Sequence, residues 1–444
     1  MLVVMDKQYN KQNEYSRFET GCKWWNSGKL HVQLPGISTG IVVFGWRREV
    51  TDMNKSMAVI MLLLLTVFIG FGIIIPVLPV IVGEDQGFHL AMLLSVYSAV
   101  SFFMSPWWGR VSDKTGRKPV LLIGLGGFAV SFLLFGLAGD QLWLMYVSRI
   151  IGGAFSGAVT ACAVAYVADI TTDENRTKGM GLVGMSIGLG FVLGPALGGV
   201  FSLWGLSVPF FVSSLLSFLC LLFTASYLTE SLPPEARGGA VPARQPSRWA
   251  AFQGPLKYLY ILSFFVTFTL AGLETTFQLF QMAKIGVDSF EAGMMFFASG
   301  IVGALIQGGV VRRHVKPGQE KVAISIGLVL SAAGFILILF SSSVWTAALY
   351  LSVFGAGNAL IRPCVISLIT QKTKVGQGVA TGLNSSMDSL GRIFGPLGAM
   401  ALFGWHMASP YIVGAVLCIA AMLLVAGFVR ADSELGAATQ KEAV

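Results

Sequence analysis

One carboxylate in this chain stands alone among apolar neighbours. In the run F-T-L-A-G-L-E-T-T-F-Q-L-F, Glu274 is the only ionisable residue, with Phe268, Phe277, Gln278 and Phe280 nearby. Loss of water disfavours the charged form of such a carboxyl. Its natural chemistry is to take up and release a proton, and to hold a cation when bare. Phe277, Phe280, Met282, Met294, Met295, Phe296 and Phe297 either form an adaptable apolar wall beside it or face lipid.

Three further charged positions invite a role. Arg149 lies within L-M-Y-V-S-R-I-I-G-G-A-F-S-G. A charge near the centre of a bilayer costs about 2.5–3.5 kcal/mol on insertion scales, so it must face protein or a watery cavity. A structural role, with the guanidinium bonded to carbonyls, is one reading. Asp388 is either a second proton-binding acid or the partner of Arg392, four residues on. The salt bridge is the favoured expectation, because i and i+4 share a helix face. Arg362 either acts beside these groups or snorkels to the membrane edge.

Other chemistries find no support. There is no G-x-x-x-x-G-K-[ST] phosphate loop for ATP hydrolysis. His31, His89, His314 and His406 fall in the head, in a loop or near apolar-run edges, and no nucleophile–base pairing is visible. Cys22, Cys162, Cys220, Cys364 and Cys418 form no close pair, so neither a disulfide framework nor a metal site is indicated. A non-enzyme without a cofactor is expected.

The elements that must position these residues are membrane helices. The chain is 55% hydrophobic and 12% charged, with a mean hydropathy of +0.73; soluble proteins carry about 25% charge. Apolar runs are expected at 57–83, 90–108, 119–138, 141–168, 178–203, 206–228, 257–283, 291–311, 320–341, 344–370, 376–404 and 409–430. Each is long enough to cross a hydrocarbon core of roughly 30 Å as a helix. None shows the alternating polarity of a membrane barrel strand.

Alternate loops carry sixteen basic residues, among them Arg110, Arg117, Lys118, Arg312 and Lys372, while the opposite set carries only Lys284. Positive loops stay in the cytoplasm, so both termini are expected there. The net charge of +8 follows from this topology and the basic head, and scattered cations make no nucleic-acid footprint.

Residues 1–52 form a polar head, and the M-N-K-S-M-A-V-I run at Met53 reads as the natural start, with a mobile cytoplasmic head as the alternative. Six spans fill 53–230; a Pro- and Gly-rich cytoplasmic linker covers 231–256; six more spans fill 257–430; 431–444 is a cytoplasmic tail. The halves are related, since Gly194-Pro195 recurs as Gly395-Pro396, 201 residues later. In the fifth span Gly190, Gly194 and Gly198 repeat every four residues, a spacing that lets helices touch backbone to backbone. Pro195 removes a helical hydrogen bond among them.

A family resemblance follows from three motifs. The loop G-R-V-S-D-K-T-G-R-K, residues 109–118, matches the G-x-x-x-D-[KR]-x-G-[RK]-[RK] pattern of the major facilitator superfamily. By that resemblance Gly109, Asp113, Gly116, Arg117 and Lys118 form a cytoplasmic latch between the halves; a purely topogenic basic loop is the plainer reading. The run G-L-G-F-V-L-G-P-A-L-G-G resembles the signature of facilitator exporters that exchange substrate for protons. Arg149 fits the family's arginine of the fourth span, so the resemblance implies a role in proton coupling. The segments around Glu274 and Arg362, with G-L-N-S-S at 382–386, resemble multidrug exporters of the NorA and Bmr type. Those relatives carry an acid one turn before the arginine of the tenth span, where this chain has Asn358-Ala359. The run I-I-P-V-L-P, with Pro76 and Pro79, looks like the family's first-span motif, a bend lining the cavity.

The resemblance implies an all-α polytopic membrane protein of the major facilitator fold, two six-helix bundles with a substrate path between them. It implies a monomer in the cell membrane that exports amphipathic, often cationic drugs in exchange for protons, driven by the proton gradient. The candidate site is Glu274, Arg149, Asp388, Arg362, Phe277 and Gln278. A dedicated facilitator of one metabolite (sugar, peptide or siderophore) and a non-transporting membrane receptor on the same fold are the alternatives.

Overall fold

A computed structural model describes residues 23–25, 29–31, 46–83, 87–233, 235, 237, 252, 254–316, 318–373 and 377–442. Most of the head, most of the linker with Arg244 and Arg248, Lys374 and Cys22 lie outside them. Met1–Lys55 and Ser56–Val444 separate as two units. Described elements of the first are the short antiparallel hairpin β1 (Lys23–Trp25) and β2 (Lys29–His31), and the start of α1.

The second unit is helical. α1 (Trp46–Ile73) gives way to a turn and then α2 (Leu78–Val82). Pro76 sits in that turn and Pro79 in the first turn of α2; neither has a backbone N–H to continue a helical ladder. The other elements of the first half are α3 (Gly87–Thr115), α4 (Arg117–Leu137), α5 (Leu142–Ile170), α6 (Asp173–Ser202) and α7 (Val208–Tyr227). The second half comprises α8 (Leu256–Ile285), α9 (Ser289–Leu305), a wider turn at Ile306–Val311 leading into α10 (Arg312–His314), α11 (Glu320–Ile338), α12 (Val344–Lys372), α13 (Gln377–Trp405) and α14 (Ser409–Glu442).

Among the described residues eleven helical segments are long and apolar enough to cross a membrane. The eleventh expected span, α13, has the length but also carries Asn384, Asp388 and Arg392, which lower its hydropathy. Leu215, Leu305, Phe103 and Leu423 are 57–75% exposed on the outer surface. Large apolar side chains displayed like this need lipid around them. The four described cysteines are free and buried.

Backbone contact through glycine organises both halves. A Cβ at Gly194 would lie 2.7 Å from the Cα of Gly72 and 2.8 Å from the Ile69 carbonyl, and one at Gly198 would strike the Ile73 carbonyl. The α6 glycines thus seat that helix on α1. In the second half a Cβ at Gly391 would meet the Phe268 backbone at 2.8 Å, and Gly395 also abuts Phe268, so α13 sits on α8 in the same way. The repeated Gly-Pro sequence is a repeated helix contact.

Gly194→Val should therefore sharply reduce folded protein. The obstacle on both sides is backbone, which cannot rotate away, and overpacking typically costs about 1–3 kcal/mol or more. Gly181→Ala, with no atom within 4 Å of the new methyl, should be tolerated. Fluorescence-detected size-exclusion chromatography of tagged protein reads both outcomes.

The two halves meet along α3 with α13 and α6 with α9, but mainly at one end. Ser95 Oγ donates to the Ile393 carbonyl at 2.7 Å. Gly199 would touch the Phe290 carbonyl at 3.0 Å, and Gly87 abuts Met400. Toward the basic loops, Cβ atoms at Gly184, Gly188, Gly308 and Gly309 would meet nothing within 4 Å. The halves part at that end.

Candidate binding cavity

Between the halves lies a partly open pocket whose empty space, open solvent included, is about 420 Å³. The first half supplies Phe71, Ile75, Leu78 and Pro79 from the broken first span, and Leu90, Leu94 and Ser98 from α3. The second half supplies Ala271, Glu274 and Thr275 from α8, and Arg392 and Pro396 from α13. The wall is mostly apolar, and its two charges are Glu274 and Arg392. The bend expected from Pro76 and Pro79 does reach the cavity, because breaking the ladder turns Leu78 and Pro79 toward it.

Glu274 is not the lone carboxyl that its segment implies. Its Oε2 lies 3.6 Å from Arg392 Nη1, with the two side chains 14% and 17% exposed. The Arg392 guanidinium lies 5.1 Å from the Phe71 ring and 4.9 Å from the Phe191 ring, so a second-half cation rests between first-half aromatics. Cation–π contact of this kind partly replaces lost water. Nothing in the sequence pairs Glu274 with Arg392, which are 118 residues apart (392 − 274).

The expected Asp388–Arg392 bridge is not formed, and this is a correction. Asp388 instead accepts from Thr267 Oγ1 at 2.7 Å and Asn384 Nδ2 at 3.5 Å, and pairs with Arg362 Nη2 at 3.5 Å. Arg362 therefore does not snorkel. The reason is packing: α13 lies on α8, so the face holding Asp388 meets Thr267, while Arg392, a turn further, reaches the cavity.

Arg149, Phe277 and Gln278 also differ from expectation. Arg149 is 1% exposed, and does not line the cavity. Rings of Phe135, Phe132 and Tyr97 surround its guanidinium at 4.5, 5.3 and 5.7 Å. Its Nη2 donates weakly to Ser148 Oγ at 3.4 Å, and its Nε has no partner. Its link to the cavity is indirect, through Tyr97, whose ring is 5.7 Å from that of Phe71. Phe277 and Gln278 are fully buried in the second half. Phe277 packs 5.4 Å from Phe296, and both polar atoms of the Gln278 amide lack partners. The cavity lies on the Ala271–Glu274–Thr275 side of α8; one turn on, Phe277 and Phe280 enter the second-half core while Leu279 packs on the first half. The aromatic and methionine wall expected from Phe277, Phe280 and Met295 is thus second-half core, and first-half residues take that place.

The basic loop is held within its own half. Arg117 bonds Asp113 at 2.6 Å, Ser112 at 2.6 Å and Asp169 at 3.0 Å. Glu230 accepts from the backbone N–H groups of Arg117 at 2.8 Å and Lys118 at 3.1 Å, placing an anion at the N-terminus of α4. Lys118 Nζ donates to the Ala225 carbonyl at 2.8 Å. Gly116 has φ +106°, and a Cβ there would lie 2.5 Å from Glu230 Oε2, so glycine is required. Gly109 is helical and meets nothing. As for the expected latch, among the described residues no hydrogen bond or ion pair joins this loop to the second half in this state. Asp169 and Glu230 escaped the sequence reading; they lie over fifty residues from the loop.

Arg117→Gln should lower thermal stability in detergent by about 1–3 kcal/mol, discounted for the partial exposure of Asp113 and Asp169. Lys114→Gln, on an exposed side chain, should leave the melting temperature unchanged.

Comparison with known proteins bears on this geometry. The family model of the Major Facilitator Superfamily matches residues 60–396 and 318–443. The chain is 29% identical over 380 residues to the quinolone resistance protein NorA of Staphylococcus aureus (strain N315), covering 84% of this chain and 96% of NorA. It is 30% identical over 371 residues to multidrug resistance protein 2 of Bacillus subtilis (strain 168), covering 81% of this chain and 92% of that protein. Among solved structures, the human organic anion transporter MFSD10 (TETRAN) aligns with a TM-score of 0.64 at 26% identity, over 84% of this chain and 99% of the other. The nucleoside transporter NupG (D323A mutant) aligns with a TM-score of 0.66 at 15% identity, over 84% and 99%, a likeness of fold alone.

Proposed function

Because this chain belongs to the Major Facilitator Superfamily, and is a multi-pass membrane transporter rather than an enzyme, we propose that it exports amphipathic, often cationic drugs in exchange for protons. The observation that carries this reading is a carboxylate and an arginine in an otherwise apolar cavity between the two halves. Likeness to NorA and to multidrug resistance protein 2 supports drugs as the cargo.

Glu274 is the switch in this scheme. Proton and cargo compete for a carboxylate that Arg392 already holds, so binding of either loosens the pair. The basic loops and both termini face the cytoplasm, and the state described here opens toward them. Protonation from outside releases cargo outward; deprotonation inward restores the site. Exchange of one proton for one singly charged cation moves no net charge, so the pH difference drives it, at about 1.4 kcal/mol or tenfold accumulation per pH unit. For a neutral cargo the membrane potential adds about 2.3 kcal/mol per 100 mV. The protein acts as a monomer, with no cofactor besides the gradient.

The test is transport of a lipophilic cationic dye by purified protein in liposomes under an imposed pH gradient. Gradient-dependent dye movement is expected. Its absence at every gradient would favour the receptor reading, and movement of one metabolite to the exclusion of dyes would favour a dedicated facilitator.

A further inference from the structure

Resting on that reading, we propose that Gln278 belongs to the outward-open form of the cavity, where its amide meets water and the hydrogen-bonding groups of departing cargo. Successive residues of an α-helix lie about 100° apart around its axis. Ala271, Glu274 and Thr275 therefore span one arc of α8, and Gln278, at i+7, i+4 and i+3 from them, falls within it. The stripe that lines the cavity continues to Gln278, one turn further from the basic loops.

At that level the halves close. Leu78 and Pro79 line the cavity beside Thr275, and α2 lies against α8. Leu279 packs into the first-half core. Beyond the end of α8 the halves touch again, where a Cβ at Gly199 would lie 3.1 Å from the Cα of Gly293. Gln278 is 0% exposed here, and neither its Nε2 nor its Oε1 has a partner among the described residues. Its neighbours fare better: Thr275 and Thr276 donate to the carbonyls of Ala271 and Gly272, and Gln281 accepts from Ser341 through Oε1.

An amide buried without hydrogen bonds is unfavourable, so the closed outer end carries a cost that opening removes. Leu78, Pro79 and Leu279 favour closure by shedding water. A leucine in place of Gln278 would seal the position better. Glutamine keeps the seal weak, and gives the opened wall one donor group and one acceptor. It adds no charge, so Glu274 stays free to take a proton or a cation, with Arg392, Asp388 and Arg362 arranged as before.

The test uses ethidium, a cationic dye with two aromatic amines, in liposomes under a pH gradient. In Gln278→Leu turnover should fall about tenfold, the effect of one or two lost hydrogen bonds. The half-saturating dye concentration on the basic-loop side should not change, because cargo loads in the form that hides Gln278. The melting temperature should hold or rise. Unchanged turnover, or a variant less stable than the parent, would overturn the proposal and leave drug export standing. Separately, an impermeant thiol reagent is applied to Gln278→Cys from the face opposite the basic loops, with the parent as blank. The introduced thiol should be modified, and ethidium should slow its modification; a thiol that stays unmodified, or one that the dye does not protect, would also overturn the assignment. Failure of ethidium to move through the parent would remove the export reading, while labelling would still decide whether Gln278 opens to that face.

Discussion

Glu274→Gln is expected to reduce proton-driven dye transport at least tenfold, to near the level of empty liposomes. The substitution keeps the shape of the side chain and removes its ability to cycle between charged and neutral forms. It also takes from Arg392 its nearest anion, leaving a largely buried cation beside the Phe71 and Phe191 rings, at a cost of about 3–5 kcal/mol. Loss of transport alone would not separate coupling from folding. The double variant Glu274→Gln, Arg392→Gln removes both charges, so it should recover folded yield and thermal stability. Proton coupling should stay lost. Recovery of coupling together with yield would mean that Glu274 serves only as the counterion of Arg392, and the scheme in which it carries the proton would fall.

Arg149→Met is expected to move stability and function in opposite directions. Arg149 is a fully buried cation held by three rings and one long hydroxyl contact. Each ring contact contributes about 0.5–2 kcal/mol, while removing a charge from water costs several kcal/mol even after relaxation. A methionine of similar length relieves that cost and still fills the space between Phe132 and Phe135. The melting temperature in detergent should hold or rise, with stabilisation of about 1–4 kcal/mol when a buried charge gives way to a packed apolar group. Transport should fall at least tenfold, because the Tyr97 and Phe71 rings connect this arginine to the cavity. A destabilised Met variant would assign Arg149 a structural role; a stable and active one would leave it without a role in transport.

Much of this protein is written along its chain. Membrane helices follow from the length of the apolar runs, since a bilayer leaves each backbone polar group to be satisfied within its own segment. The basic loop, the Gly-Pro repeat 201 residues apart and the Pro76–Pro79 break are local patterns with local causes, and the helices pack where the glycines allow. Glu274 was legible for the same reason, as a charge with no charged neighbour in its own helix.

Tertiary structure alone decided which charges meet. Arg392 could have turned to Asp388 on its own helix, but contact of α13 with α8 gives Asp388 to Thr267 and Arg362, and presents Arg392 to Glu274. It also decided which rings line the cavity. Phe277 shares a helix face with Glu274 at i+3, yet it enters the second-half core, and Gln278 at i+4 is buried off the cavity wall, while the ring that lines it, Phe71, comes from a helix far away in the chain. Helical periodicity sorts residues around one axis. Which neighbour stands on each side of that axis depends on how a dozen helices pack together, and no single segment carries that information.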